Sequence, residues 1–246
     1  MTSAHDAAAR GADLSTNLAR VQQRIRAACR AAGRPREEVQ LIVVTKFFPR
    51  ADIEALCQLG VTDIGENRDQ EASVKIAALP HEVRQRLHVH FIGQVQSNKA
   101  GSVATYADTV HSIDRDKLVF ALDRAATAAG RDIGALVQVS LDPDPGSSAG
   151  AARGGIPLDG VAALANSVAA AKHLRLRGLM AVAPQGVDPG VAFAQLARAA
   201  REIRADHPGA SWISAGMSAD LESAVANGAT HLRVGSAILG SRPLLG

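Results

Sequence analysis

The 246-residue chain is 47% hydrophobic and 21% charged and carries a net charge of +3. This is the composition of a folded globular protein, long enough for one large domain or two small ones, and it excludes a disordered chain. No apolar run approaches a membrane span, and no lysine/arginine block or aromatic-interleaved basic patch suggests a nucleic-acid surface.

In chain order, the opening stretch MTSAHDAAARGADLS lacks the apolar core of a secretory signal. Residues 1–13 read as a short disordered lead-in, and a soluble, cytoplasmic protein is expected. An amphipathic helix follows at about 14–32, closed by Gly33. Cys29 lies in that helix and Cys57 in the next, RADIEALCQLG. Neither has a cysteine or histidine partner at metal-ligand spacing, so both are expected as buried thiols.

The stretch LIVVTKFFPR (41–50) reads as a strand buried on both faces, with Lys46 at its carboxyl end and Pro49 stopping it. Such a lysine either snorkels past the core edge into water or serves a ligand, because ligands bind at that end of parallel strands. Further strand signals are VTDIG at 61, HVHFIG at 88, DTVHSI at 108, ALVQVSL at 135, LRLRGLM at 174, SWISA at 211 and THLRVG at 230. Helical stretches separate them, several opening on an acidic residue or proline and closing on glycine. Eight strands alternating with helices predict a single-domain (β/α)8 barrel over 14–246, with a doubly wound open sheet as the competitor. The segment DPDPGSSAGAARGGIP (142–157) falls between a strand and a helix and reads as a mobile loop at the barrel mouth.

In a barrel, the carboxyl ends of the strands collect the chemistry. Lys46 ends the first. Glu66, Asn67 and Gln70 follow the second, and the third carries His90, with Gln96, Asn98 and Lys99 beyond it. The fourth carries His111, Ser112 and Asp114. After the seventh come Ser214, Gly216, Met217 and Ser218, the last a predicted N-cap; the eighth holds Arg233 and runs into Gly235 and Ser236. Glycine and serine amides before helix starts suit an anion, and barrels often bind phosphate with the loops after strands seven and eight. A lysine, a phosphate cradle and an arginine at one mouth fit a ligand with an aldehyde and a phosphate at opposite ends. Pyridoxal 5′-phosphate (PLP) is such a ligand. Apolar walls around Lys46 would favour the neutral amine that attacks an aldehyde.

The stretches VTK, GENRDQEA, HFIGQVQSNK, VHSID, GLMAVAP, GMSADLESAVANGAT and RVGSAILG together make the chain resemble the pyridoxal phosphate homeostasis proteins (the YggS or PROSC family) over nearly its whole length. The resemblance implies a fold-type III PLP-binding barrel, similar to that of alanine racemase but without its second, β-rich domain. It implies that Lys46 carries the cofactor as a Schiff base and that Arg233 faces the pyridine nitrogen. Ser214, Gly216, Met217, Ser218, Gly235 and Ser236 would contact the phosphate, with Asn67 and His90 nearby. It also implies a role in keeping free PLP low while supplying apo PLP-dependent enzymes. The chain departs from the family pattern at Arg68 and Val89, where aromatic residues are common, and in the longer loop at 142–156.

A racemase would need a second acid/base opposite the lysine. The lone tyrosine, Tyr106, sits mid-chain and reads as a packing residue; His90 or His111 could serve as a base or be hydrogen-bonded strand-end histidines. A PLP carrier without a reaction of its own is therefore expected. The alternatives are an alanine-racemase-type enzyme, or a barrel enzyme acting on a sugar phosphate through Lys46. With no apolar stripe announcing an interface, a monomer is the default.

Overall fold

The computed structural model describes residues 4–142 and 154–241. The mobile loop expected at 142–157 therefore lies largely outside the described residues. Eight strands form, most of them on short stretches rich in apolar and β-branched residues that can be buried on both faces. They are β1 (Gln40–Val44), β2 (Asp63–Glu66), β3 (His88–Phe91), β4 (Thr109–Ile113), β5 (Ile133–Gln138), β6 (Leu174–Met180), β7 (Trp212–Ser214) and β8 (His231–Val234). They close into a barrel in chain order, every neighbouring pair parallel. This is the expected (β/α)8 barrel; the open sheet is ruled out by the pairing of β1 with β8.

The helices are α1 (Ala4–Ala31), α2 (Arg50–Gln58), α3 (Asp69–Ala77), α4 (His81–Gln85), α5 (Ala100–Tyr106), α6 (Asp116–Ala129), α7 (Val161–Ala170), α8 (Pro189–Asp206), α9 (Leu221–Ala226) and α10 (Ser236–Leu239). They pack an aliphatic core against the outer face of the strands, where Val43, Ile64, Val89, Val110, Val137 and Leu179 are buried. Cys29 and Cys57 are free and buried. No described helix is long and apolar enough to cross a membrane.

Two details bear on the site. The register of β5 against β6 slips between Ala135 and Leu136, opposite Gly178, which has φ +148°. A Cβ there would meet the Trp212 carbonyl oxygen at 1.9 Å, so only glycine allows β6 to bulge beside β7. The second is a correction. The stretch assigned to a disordered lead-in, residues 1–13, is helical from Ala4 onward as the first turns of α1. Arg10 fixes it, donating through Nε and Nη2 to the Asp52 carboxylate (3.1 and 2.6 Å) and to the Leu239 carbonyl (3.1 Å). Leu14, Leu18, Val21, Ile25 and Ala28 then form one buried stripe.

Candidate functional site

Paired residues of parallel strands point the same way, so the pairing of Ile42 with Arg233 and of Gly65 with His90 defines an inward-facing set. Two residues beyond the end of β1, Lys46 lies half-buried in a turn. Phe47, the next residue, has φ +69°, the sole described non-glycine at positive φ and a conformation that must be held from outside. Lys75 of α3 supplies the hold. Its buried ammonium donates to the carbonyls of Thr45 (3.0 Å) and Phe48 (3.1 Å), on either side of Lys46 and Phe47. Glu66 (2.8 Å) and Glu71 (3.0 Å) balance its charge. Glu71 also accepts from the Phe47 N–H at 2.6 Å, and Thr45 Oγ1 donates to Glu66 at 2.6 Å. Arg68 places its guanidinium 4.9 Å from the Phe47 ring centroid; the Lys46 ammonium lies 5.7 Å from it.

Arg233 is 4% exposed. It donates to Ser214 Oγ (2.7 Å) and to the Ala181 carbonyl (2.8 Å), and no carboxylate lies within ion-pairing distance among the described residues. Burial brings the guanidinium down to about 10, with Asp220 acting the other way, so it stays charged at neutral pH. A buried cation with neutral partners is costly unless an acceptor or anion joins it.

The loops after β7 and β8 meet beside it. Ser218 Oγ and Ser236 Oγ lie 3.2 Å apart. Gly235 presses on β1, where a Cβ would lie 3.2 Å from Val44 Cβ and its carbonyl oxygen. Gly216 has φ +91°, and a Cβ there would meet Ala224 Cβ at 2.6 Å and Leu232 Cδ2 at 2.9 Å. Glycine at both places lets two loop backbones approach one point. The pair of hydroxyls, with the first-turn amides of α10, can hold an anion.

Other expected residues sit differently. Ser214 is fully buried, and its hydroxyl is engaged by Arg233 and His111 inside the barrel, so it supports the arginine rather than the loops. Met217 gives its N–H to Asp220 Oδ1 at 2.6 Å. Ser218 is not the N-cap of α9, which begins after Asp220; no side chain caps that helix start. His90 is fully buried inside the barrel, bonded to Asp63 (2.9 Å) and His111 (2.8 Å), and reaches Arg233 only through His111 and Ser214. Asn67 packs on Gly93, whose Cβ would lie 2.1 Å from the Asn67 carbonyl oxygen. It edges a cavity of about 450 Å³ with Arg68, Gln70, Gln96 and Lys99. Tyr106 ends α5 with its ring on Phe91 and its hydroxyl 3.3 Å from Asp69, and burial pushes it far above its ordinary value. Lys75 and Asp63 carry little signal in the sequence. The i,i+4 spacing of Glu71 and Lys75 was the available signal for the first, but it reads as a solvated ion pair; Asp63 left none.

Fold and mouth together define an alanine-racemase-type barrel: the family model for the alanine racemase N-terminal domain matches residues 16–243. The chain is 41% identical over 251 residues to a Mycobacterium tuberculosis protein named pyridoxal phosphate homeostasis protein, covering 96% of this chain and 95% of that one. Among solved structures, a Bifidobacterium adolescentis protein of unknown function superposes with TM-score 0.86 at 31% identity, over 94% of this chain and 96% of that one. PipY of Synechococcus elongatus, solved with PLP bound, gives 0.77 at 33% identity, over 92% of this chain and all of that one. The chain belongs to the pyridoxal phosphate homeostasis protein family.

Proposed function

We propose that this protein binds pyridoxal 5′-phosphate reversibly, with Lys46 as the attachment residue, and acts in PLP homeostasis by buffering and delivering the cofactor without catalysing a reaction of its own. The observation that carries the reading is Arg233, a buried guanidinium facing neutral partners in a barrel mouth that also holds Lys46. A neutral pyridine nitrogen is an acceptor for such a donor, and the Ser218–Ser236 pair suits a phosphate. When bound, PLP supplies an aldehyde that a lysine amine takes up as a Schiff base, and a ring that stabilises carbanions best when its nitrogen is protonated. Arg233, which only donates, would serve that nitrogen as a donor and discourage its protonation. The turn clamped by Lys75 fixes where the Lys46 amine emerges.

The same geometry favours holding over turnover. Tyr106 is bonded to Asp69, and burial raises its hydroxyl still further above its ordinary value. His90 and His111 are bonded to one another below the mouth, and burial holds His111 well below its ordinary value. None of the three is free to act as a second acid/base at Lys46. The family names and the PLP-bound PipY structure support PLP as the ligand.

The test is the visible spectrum of the protein after PLP is added, followed by borohydride reduction and peptide mapping. The expected result is a yellow protein whose reduced adduct maps to Lys46, with the colour lost in Lys46→Ala. A chain that remains colourless and unmodified overturns the reading. Turnover of L- or D-amino acids by the loaded protein would replace carrier with racemase.

A further inference from the structure

We propose that Asp63 is a positioning residue for Arg233, acting through a one-way row of hydrogen bonds down the inside of the barrel. Four contacts make the row: Arg233 Nη1 to Ser214 Oγ at 2.7 Å, Ser214 Oγ to His111 Nδ1 at 2.9 Å, His111 Nε2 to His90 Nδ1 at 2.8 Å, and His90 Nε2 to Asp63 Oδ1 at 2.9 Å. The three middle residues are fully buried. Asp63, at the start of β2, places the row's far end on the N-terminal face of the barrel, opposite the mouth.

With both rings neutral, the carboxylate at one end and the guanidinium at the other fix every proton between them. A guanidinium only donates and a carboxylate only accepts, so Ser214 Oγ accepts from Arg233 and sends its own hydrogen to His111 Nδ1. His111 is then the Nε2–H tautomer and donates to His90 Nδ1. His90 is likewise Nε2–H and donates to Asp63, which as a carboxylate only accepts. Asp63 is committed to that role: its other oxygen accepts from Gln40 Nε2 (2.5 Å) and Thr62 Oγ1 (2.7 Å). Burial raises its carboxyl, but the hydrogen bonds from His90 and Thr62 outweigh burial and keep it below the ordinary range. The other rings around His90 are His88 at 4.5 Å, itself bonded to Thr109, and Trp212 and His231, each at 6.3 Å.

Arg233 is therefore oriented by a carboxylate four hydrogen bonds away. Asparagine at 63 has one oxygen for two sets of donors. Turned to serve Gln40 and Thr62, it presents N–H to His90. The histidines can then change tautomer, and His111 Nδ1–H donates to Ser214 Oγ, whose hydrogen loses its acceptor and whose lone pairs are then shared between His111 and Arg233. The bond that orients the guanidinium is thereby loosened. The consequence for cofactor binding rests on the proposed function, while the row belongs to the unliganded chain and is tested there.

The experiment is a long-range 1H–15N correlation spectrum of the full chain with ring-labelled histidine, free of PLP, at neutral pH, assigned by single histidine substitutions. The expected result is His90 and His111 both as neutral Nε2–H tautomers. Either one as Nδ1–H or as imidazolium overturns the proposal. In Asp63→Asn, the His111 signals should move toward mixed tautomers and the PLP dissociation constant should rise about tenfold, the scale at which orienting partners of ligand-binding groups act. Asp132→Asn, which breaks an exposed pair with Arg175 on the same barrel face, should change neither. Wild-type His111 signals and affinity in Asp63→Asn would reduce Asp63 to a local partner of His90 and sink the idea. Tautomers as stated in a chain that takes up no PLP would leave the row standing and remove the cofactor reading instead.

Discussion

Lys75 makes the sharpest single-residue prediction outside the mouth. Its ammonium neutralises Glu66, whose carboxylate is fully buried and has one oxygen, Oε2, without a hydrogen-bond partner. Lys75→Met leaves that charge uncompensated and releases both carbonyls of the Lys46 turn. The expected loss is about 3–5 kcal/mol in urea unfolding, with most of it recovered in the Lys75→Met/Glu66→Gln double variant, because removing both charges removes the desolvation problem. A single-variant loss under about 1 kcal/mol would show the pair to be solvated. Lys75 also marks the limit of reading this site from sequence. Lys46 and Arg233 stand out because each interrupts an apolar run, and a charge there needs a reason. The bonds of Lys75 to Thr45 and Phe48, like those of His90 to Asp63, depend on which neighbouring residues the barrel brings together. No spacing in the chain records them.

Helix α1 shows the same contrast at the scale of elements. It packs on α9 and α10, the short helices that follow the two loops of the mouth. Arg24 reaches the first of these loops, donating to the Ser218 carbonyl (3.0 Å) and pairing with Glu222 (2.9 Å). Ile25, fully buried beside it, belongs to the core. The two neighbours should separate in measurement. Ile25→Ala is expected to cost about 2–5 kcal/mol of stability through the cavity it leaves. Arg24→Gln should cost under about 1 kcal/mol, since the pair is exposed, yet weaken PLP binding by freeing the Ser218 loop. Thermal unfolding and a PLP titration of both variants check this, and equal effects on affinity would mean the loop does not depend on Arg24. The strands were legible because most of a parallel strand is buried on both faces and reads as an apolar run; LIVV supplies the four buried residues of β1, Leu41 to Val44. The first turns of α1 were not. Their composition is that of a lead-in, and what orders them is Arg10 reaching Asp52 and Leu239, 42 and 229 residues away.

For the molecule as a whole, the polar barrel interior sets the response to acid. Burial, reinforced by neighbouring histidines, holds His111 well below its ordinary value and His231 at about 3, and it lowers His88 as well. Each binds its proton in the unfolded chain near pH 6.5 but not in the folded one. The unfolded state therefore takes up more protons, and stability falls as pH drops from about 6.5 toward the folded values. Glu66 acts in the opposite sense: burial raises it, so stability lost to its ionisation returns on acidification through its folded value. Three histidines against one carboxyl leave acid the net destabiliser, each histidine contributing about 1.4 kcal/mol per pH unit within its window. Urea unfolding between pH 7 and 5 should show stability declining below pH 6.5, and His231→Gln should reduce the slope by about one proton. A flat profile would mean that the folded barrel admits protons to these rings, which would also remove the fixed tautomers on which the Asp63–Arg233 row depends.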